Sequence, residues 1–465
     1  MIVMKFGGTS VGSGQRMLEV AGIVASERQN QPVVIVSAIS QVTNLLTELA
    51  GGADPKKATQ DIAKLKDLHL KAAAQLNLPA TDQTQLNQLI STKIDQLTSV
   101  IDSTQALGEL TPRAHDLILS YGERLSIHLV AAALQSQGIP AQALEASQLM
   151  VTDSNFGAAA PLLADSAKKM KPIIKKIVDQ NIVPVITGYV GADKQGVITT
   201  LGRGGSDYSA TIFGYCLDAK AVWIWTDVEG VMTADPRIVT GTRTVTELSY
   251  DEAAELSHFG AKVLHPRTMV PAALSNIPIY IKNTMRPEAP GTKITEARYQ
   301  HPDGAKALTV LNHLSLITVQ GKGMQGVLGV AARLFQTLAE QKINVMFISQ
   351  ASAENNISIV IEEQDGPSAV KAVTAAFSSE LKSKSLEMIS LDKDLSIIAV
   401  IGEGMRSHIG VAGRVFSALG HAKISVRAIA QGSSERNLSF VVNESQSSLA
   451  MQSIHDALHL AGSKQ

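Results

Sequence analysis

The chain has 465 residues, with 41 Lys+Arg against 42 Asp+Glu and a formal net charge of −1. Residues are 45% hydrophobic, 4% aromatic and 18% charged, a composition that excludes a disordered chain and fits an aliphatic α/β protein of about three domains, each ~100–200 residues. The balanced charge excludes the electrostatic footprint of a nucleic-acid or anionic-membrane partner, and the single cysteine, Cys216, excludes an internal disulfide. With no leader and no apolar run of ~18 residues read in the sequence, a cytoplasmic chain without a membrane partner is expected.

The first stretch reads MIVMKFGGTS, an apolar run that delivers Lys5 into a glycine turn at Gly7 and Gly8 followed by Thr9 and Ser10. A lysine, hydroxyls and amides unobstructed by a Cβ, ahead of a helix N-terminus, suit a phosphate group. The Walker spacing is absent because the lysine precedes the glycines. Residues 15–28 have helical spacing and 31–38 read as a strand, giving the β-α-β unit of a parallel sheet. Beyond that strand's carboxyl end lie Ser37, Ser40, Thr43 and Asn44, which can either hold a polar small molecule or cap the next helix.

Residues 56–127 are rich in Ala, Leu, Gln and Lys, with breaks at 77–79 and 110–112, and predict helices in series. Within them, Glu123 and Arg124 follow Gly122 in an apolar helix, so Glu123 can accept a ligand ammonium or pair internally. Strands are predicted at 182–189 and 196–201. The second runs into Gly202-Arg203-Gly204-Gly205-Ser206-Asp207, with a helix expected over 210–217. That mixture of glycines, arginine, serine and aspartate offers backbone donors for phosphate and a guanidinium fork for carboxylate. A buried strand at 221–226 leads into a polar turn with Asp227, Met232 and Arg237. A helix over 251–258 precedes FGAKVLHP, which brings Lys262 to a glycine turn.

Residues 284–308 read as a domain boundary. Beyond it, sliding 317–360 by 81 positions onto 398–441 gives 21 identities in 44 positions without a gap, pairing Gly321 with Gly402, Arg333 with Arg414, Phe335 with Phe416 and Gln350 with Gln431. Two copies of one unit follow, each a strand, glycine turn, helix, two further strands and a second helix. Gly321, Gly323 and Gly326 satisfy G-x-G-x-x-G, but the unit is only about 80 residues long and the third glycine becomes Ser407 in the second copy, so a dinucleotide site is not expected.

KFGGTS at 5–10, Ser37-Ala with Thr43-Asn44, Gly122-Glu123, LGRGGSDY at 201–208, WTDVEGV at 225–231 and FGAKVLHP at 259–266 stand in one order. Along its whole length the chain resembles the aspartate kinases of the amino-acid kinase family that carry paired C-terminal ACT domains. The resemblance implies an α/β three-layer kinase fold with a mainly parallel central sheet over 1–295, including a helical insert at about 53–127. It further implies a linker and first α+β ACT unit over 296–390, and a second over 391–465.

It implies MgATP-dependent phosphorylation of the β-carboxylate of L-aspartate, the first step toward lysine, threonine and methionine. By the same resemblance, Arg203 would hold the substrate α-carboxylate and Glu123 its ammonium, with Ser37, Thr43 and Ser206 placing the reactive carboxylate. Lys5, Gly7, Gly8 and Ser10 would cradle phosphates, Asp207 would orient Lys5 or Mg²⁺, and Thr226, Asp227, Met232, Arg237 and Lys262 would hold the nucleotide. Met232 departs from the tyrosine of many members. No direct protein ligand to the metal is assigned.

The effector residues implied are Asn344, Ile348, Gln350, Ile429 and Gln431, with threonine the expected inhibitor and lysine the alternative. Lysine-inhibited members carry an aspartate where this chain has Met346. A homodimer or larger homo-oligomer is expected. The other readings are a different carboxylate or amino-acid kinase of the same fold, and a non-catalytic ACT amino-acid sensor.

Overall fold

The computed structural model describes residues 1–52, 54–261, 264–298, 304–324, 329–350, 355–432 and 436–461. The chain forms two compact units, Met1–Val231 with Thr246–Tyr250 and Val263–Ala297, and Met232–Val245 with Asp251–Lys262 and Arg298–Gln465. The expected division at 295/296 is therefore crossed by two segments, 232–245 and 251–262, that pack with the second unit.

In the first unit the elements run β1 (Ile2–Phe6), α1 (Gly14–Ser26), β2 (Pro32–Val36), α2 (Val42–Ala50), α3 (Pro55–Ala74), α4 (Ala80–Leu107), α5 (Pro112–Ser136), β3 (Ala141–Leu144), α6 (Leu163–Asp179), β4 (Val183–Thr187), β5 (Val190–Ala192), β6 (Ile198–Thr200), α7 (Gly205–Cys216), β7 (Val222–Thr226) and β8 (Glu247–Ser249). After α8 (Tyr250–His258), of which only Tyr250 belongs here, come α9 (Pro266–Leu274), β9 (Ile279–Asn283) and β10 (Thr292–Thr295). Eight strands form one sheet in the order β3-β4-β2-β1-β7-β9-β10-β8, parallel throughout except for the β9–β10 pair. All five residues of β1, β2 and β4 are buried, as central parallel strands covered on both faces must be.

Local signals start the helices. Ser13 caps α1 by accepting from Arg16 N, Asp54 caps α3 from Lys56 N, and Thr111 caps α5 from Ala114 N, the last two with proline in the first turn. Among the described residues α5 is the one helix long and apolar enough to cross a membrane, contrary to the sequence expectation of no such run; 83% of its most apolar window is buried inside the fold. Its apolar surface is spent on the interior between α1, α2, α4 and the sheet. α7 begins at Gly205 rather than 210, because Gly204 takes the left-handed conformation (φ 70°) and turns the chain straight into helix. The expected boundary at 284–308 contains β10, which belongs to the sheet.

The second unit holds the two repeats as β11 (Ala307–Gln320), α10 (Val330–Glu340), β12 (Phe347–Gln350), β13 (Asn356–Glu362), α11 (Gly366–Ala376) and α12 (Ser378–Ser383), then β14 (Met388–Ile401), α13 (Val411–His421), β15 (Ala428–Gln431), β16 (Asn437–Asn443) and α14 (Ser447–Ala457). One six-stranded sheet, β12-β13-β11-β14-β16-β15, joins the copies through antiparallel β11 and β14. Those strands are long because each serves both copies: Leu314–Gln320 pairs with β13, while Ala307–Leu311 runs beside Ile397–Ile401 and sends Leu308 into the second copy's core. The register shifts between Leu311 and Leu316, and His313 (φ 61°) and Asp394 (φ 55°), 81 positions apart, are the left-handed residues of the two bends.

The glycines that mimic a dinucleotide motif are there for close packing. A Cβ on Gly321 would stand 2.5 Å from the Ser385 carbonyl oxygen, and one on Gly402 would stand 2.4 Å from the Gly304 oxygen, again 81 positions apart. Gly326 lies outside the described residues.

In this unit Lys306 Nζ stands 2.7 Å from Glu252 Oε2, both side chains at most 2% exposed, and Glu252 Oε1 accepts the Glu403 N–H at 2.7 Å. Removing one partner strands a buried charge, so Lys306→Met should destabilise the second unit by about 3–5 kcal/mol, with recovery in the Lys306→Met/Glu252→Leu double variant. Both tryptophans lie on β7 of the first unit. Urea unfolding should therefore show the loss by circular dichroism while the tryptophan fluorescence transition stays in place.

Candidate active site

Strand β1 carries Lys5 to the sheet's carboxyl edge, where Phe6 stacks on Trp225 of β7 with ring centroids 5.9 Å apart. Lys5 Nζ meets Asp207 Oδ1 at 2.5 Å, with the two side chains only 10% and 19% exposed. Asp207 can reach it because α7 starts at Gly205, which puts Ser206 and Asp207 in the helix's first turn. An acid there also complements the helix dipole.

Glu123 is 5% exposed on α5. Burial pushes its carboxyl up to about 8; the Ala38 N–H, its own backbone N–H, the Lys5 ammonium and the Ser206 hydroxyl pull the other way. Lys5, Ala38, Glu123, Ser206 and Asp207 are thus one group, assembled from β1, the loop after β2, α5 and the start of α7. Ser37, half-buried, precedes Ala38 and donates its N–H to the Phe6 carbonyl; Thr43 is exposed in the first turn of α2. Arg203 is exposed on the turn before α7, and among the described residues no carboxylate pairs with it. Its charge helps hold the His265 imidazole below its usual value, after burial and Arg267.

The glycine turn behaves differently from the sequence expectation. Gly7 donates its N–H to the Trp225 carbonyl, which extends the β1–β7 ladder and removes that donor from any phosphate. Gly8 is needed for close approach, since a Cβ would lie 2.8 Å from the Ala38 oxygen. Ser10 is buried with its hydroxyl 2.7 Å from that of Thr284, so it ties the turn to the residue after β9 instead of facing a ligand. Thr226 is half-buried at the end of β7 and donates its hydroxyl to the exposed Asp227 at 3.2 Å.

Met232 and Arg237 belong to the second unit. The Met232 sulfur accepts the Thr244 hydroxyl at 3.6 Å, and Arg237 is locked onto Asp235 by its Nε and, at 2.6 Å, its terminal nitrogen. Lys262 lies outside the described residues. The effector residues are also in the second unit: Asn344 is exposed in the loop before β12, while Ile348, Gln350, Ile429 and Gln431 are exposed on the outer strands. Those strands approach each other, Ser349 donating its hydroxyl to the Ile429 carbonyl at 3.3 Å.

Sequence reasoning missed Asp116, fully buried in α5 seven residues before Glu123. The available signal was an acid inside an apolar helix; nothing local gave its partners, which lie 41 and 84 positions away. Among the described residues no cluster of three His, Cys, Asp or Glu could hold a metal ion.

Comparison with known proteins agrees with this layout. The amino acid kinase family model matches residues 1–283 and an ACT domain model matches twice, over 317–377 and 398–458. A bifunctional aspartokinase/homoserine dehydrogenase of Haemophilus influenzae is 35% identical over 98% of this chain and 56% of its own length, so the chain spans a little over half of the first relatives it matches. Aspartokinase 2 of Arabidopsis thaliana, a chloroplast protein, is 32% identical over 98% of this chain and 84% of its own. The crystal structure of E. coli aspartokinase III with aspartate and ADP has a TM-score of 0.82 at 29% identity, covering 99% of this chain and 100% of that one. The same enzyme with lysine and aspartate gives 0.80 at 29%, covering 98% and 99%. A kinase model over more than half the chain, two ACT matches and aspartokinase relatives from end to end together establish that the chain belongs to the amino acid kinase family, among its aspartokinases with paired C-terminal ACT domains.

Proposed function

We propose that the chain transfers the γ-phosphoryl group of MgATP to the β-carboxylate of L-aspartate, giving 4-phospho-L-aspartate and ADP at the start of lysine, threonine and methionine synthesis. The observation that carries the reading is the buried convergence of Lys5, Glu123, Ser206 and Asp207 at the carboxyl edge of the sheet. A carboxylate is already a nucleophile, so the problem is to bring two anions together. A β-carboxylate oxygen attacks the γ-phosphorus as its bond to the bridging oxygen breaks, and ADP leaves with that electron pair. Lys5, held by Asp207, offsets the charge on the transferring group. Among the described residues no acid pairs with Arg203, which suits the substrate α-carboxylate, and Glu123 suits its ammonium.

Among the described residues Asp207, paired with Lys5, would orient a Mg²⁺ brought with the nucleotide, and that ion would supply charge neutralisation there. Structures of E. coli aspartokinase III described with aspartate and ADP, and with lysine and aspartate, support both a nucleotide and an amino-acid effector. For this chain the proposed effector is threonine, since the segment 343–350 carries no carboxylate for a lysine ε-ammonium. We place the working protein in the cytoplasm as at least a dimer paired through its ACT units, where Ile348 and Ile429 are half-exposed on the outer strands.

Coupled ADP release with aspartate against glutamate tests the reading directly; turnover with glutamate alone would reject it. Lys5→Ala should lower kcat by about 10²–10³, as for other preorganised charge stabilisers, whereas Arg203→Ala should act mainly on the KM for aspartate. Because burial pushes the Glu123 carboxyl up to about 8 and it pairs with an ammonium only when ionised, kcat/KM for aspartate should climb with pH through about 8 and level only above that, and Glu123→Gln should flatten that limb. Threonine should inhibit the wild-type chain, and Gln350→Ala should relieve that inhibition with uninhibited kcat nearly unchanged; strong inhibition by lysine alone would reassign the effector.

A further inference from the structure

We infer that Asp116 is a positioning residue for the aspartate site: it fixes the Arg203 turn at a set distance from Glu123 and so sets which acceptor length is accepted. The inference rests on the proposed kinase reading. Asp116 is fully buried, and its carboxylate is held by neutral donors: Oδ2 accepts the N–H of Gly157 at 2.9 Å and of Thr200 at 2.8 Å, and Oδ1 accepts the Thr200 hydroxyl at 2.8 Å. The imidazole of His115, at 3.8 Å, is too far for a hydrogen bond. A buried carboxylate kept for three such bonds is costly unless geometry at that point matters.

Each bond reaches a segment that shapes the substrate side. Thr200 ends β6 and stands three residues before Arg203. Gly157 packs against the same turn: Gly202 has φ +78°, and a Cβ there would come 2.9 Å from the Gly157 oxygen. On the far side of Arg203, a Cβ on Gly205 would lie 2.5 Å from Tyr189. The arginine therefore projects from a turn clamped at both ends, its own side chain exposed. Asp116 and Glu123 lie two helical turns apart on α5, about 10.5 Å along its axis, so one rigid helix holds both the clamp and the ammonium acceptor. A substrate bridging Arg203 and Glu123 is measured against that helix, and no part of Asp116 need touch it.

The test is steady-state kinetics of the full chain with L-aspartate and MgATP varied separately, in Asp116→Asn, whose amide can keep both N–H bonds on its oxygen only by turning its NH₂ on the Thr200 hydroxyl and so reversing that bond, and in the milder Thr200→Val. Displacement of the arginine by a fraction of an ångström should raise the KM for aspartate about tenfold or more in Asp116→Asn and about threefold in Thr200→Val, with the KM for MgATP within about twofold. Discrimination against glutamate should relax in parallel, and Thr200→Ser should restore wild-type values. A merely structural aspartate would lower the melting temperature and leave the two KM values moving together or not at all, which would overturn the inference; if Asp116→Asn fails to fold, Thr200→Val decides alone. An active wild type with unmoved KM values overturns this inference only, whereas a wild type without aspartate-dependent ADP release overturns the proposed function with it.

Discussion

The constraint on which the first unit depends is a lysine ammonium taken most of the way out of water at the end of a central strand. Lys5 is 8% exposed, and desolvation on that scale opposes the charged form unless an acid and further dipoles answer it. Asp207 answers it at 2.5 Å, and the whole local construction serves that meeting. β1 sits between β2 and β7 so that its end is walled by both neighbours, and α7 turns into helix at Gly205 so that Asp207 falls in the first turn. Glu123 joins the same enclosure, where burial pushes its carboxyl up to about 8. An acid so placed changes protonation easily when a cation arrives, which makes the charge state of the site responsive to its ligand.

The helical segment is tied to this site through α5. The family resemblance implies a helical insert over about 53–127, yet α5 continues to Ser136 and lies among α1, α2, α4 and the sheet. Gly122 lets this helix come close to the loop after β2: a Cβ there would stand 2.7 Å from the Ala38 side chain. The Glu123 carboxylate consequently reaches the Ala38 N–H. Packing and chemistry are the same contact, since the small residues that allow the approach also fix the acceptor.

The second unit solves a different problem. Each repeat alone would expose a sheet edge, and the two remove one edge apiece by pairing β11 with β14. Because both strands run past their own copy, Leu308 and Val310 complete the core of the second repeat, and Ile389 and Leu391 pack against that of the first. The bends at His313 and Asp394 re-aim each strand from one copy to the other. α8 is anchored here by the Glu252–Lys306 pair and by Glu255, which accepts the Asn437 amide at 2.9 Å.

Much of this was legible in the sequence for a stated reason. Strand and helix periods, the 81-residue repeat and the motifs around Lys5, Glu123, Arg203 and Asp207 are local patterns, and local patterns carry local structure. What required the tertiary structure was everything decided by partners far away in sequence. The Gly7 N–H goes to Trp225 and the Ser10 hydroxyl to Thr284, so two residues that look like phosphate ligands are spent on holding the turn, because a buried donor takes the nearest acceptor wherever it lies in the chain. Arg237 is engaged by Asp235, and β12 is confined to Phe347–Gln350, where β13 supplies its ladder. Sequence determined which residues could do chemistry and in what order the elements come; only the fold decided which of those residues remain available, since hydrogen-bond satisfaction is settled by neighbours in space.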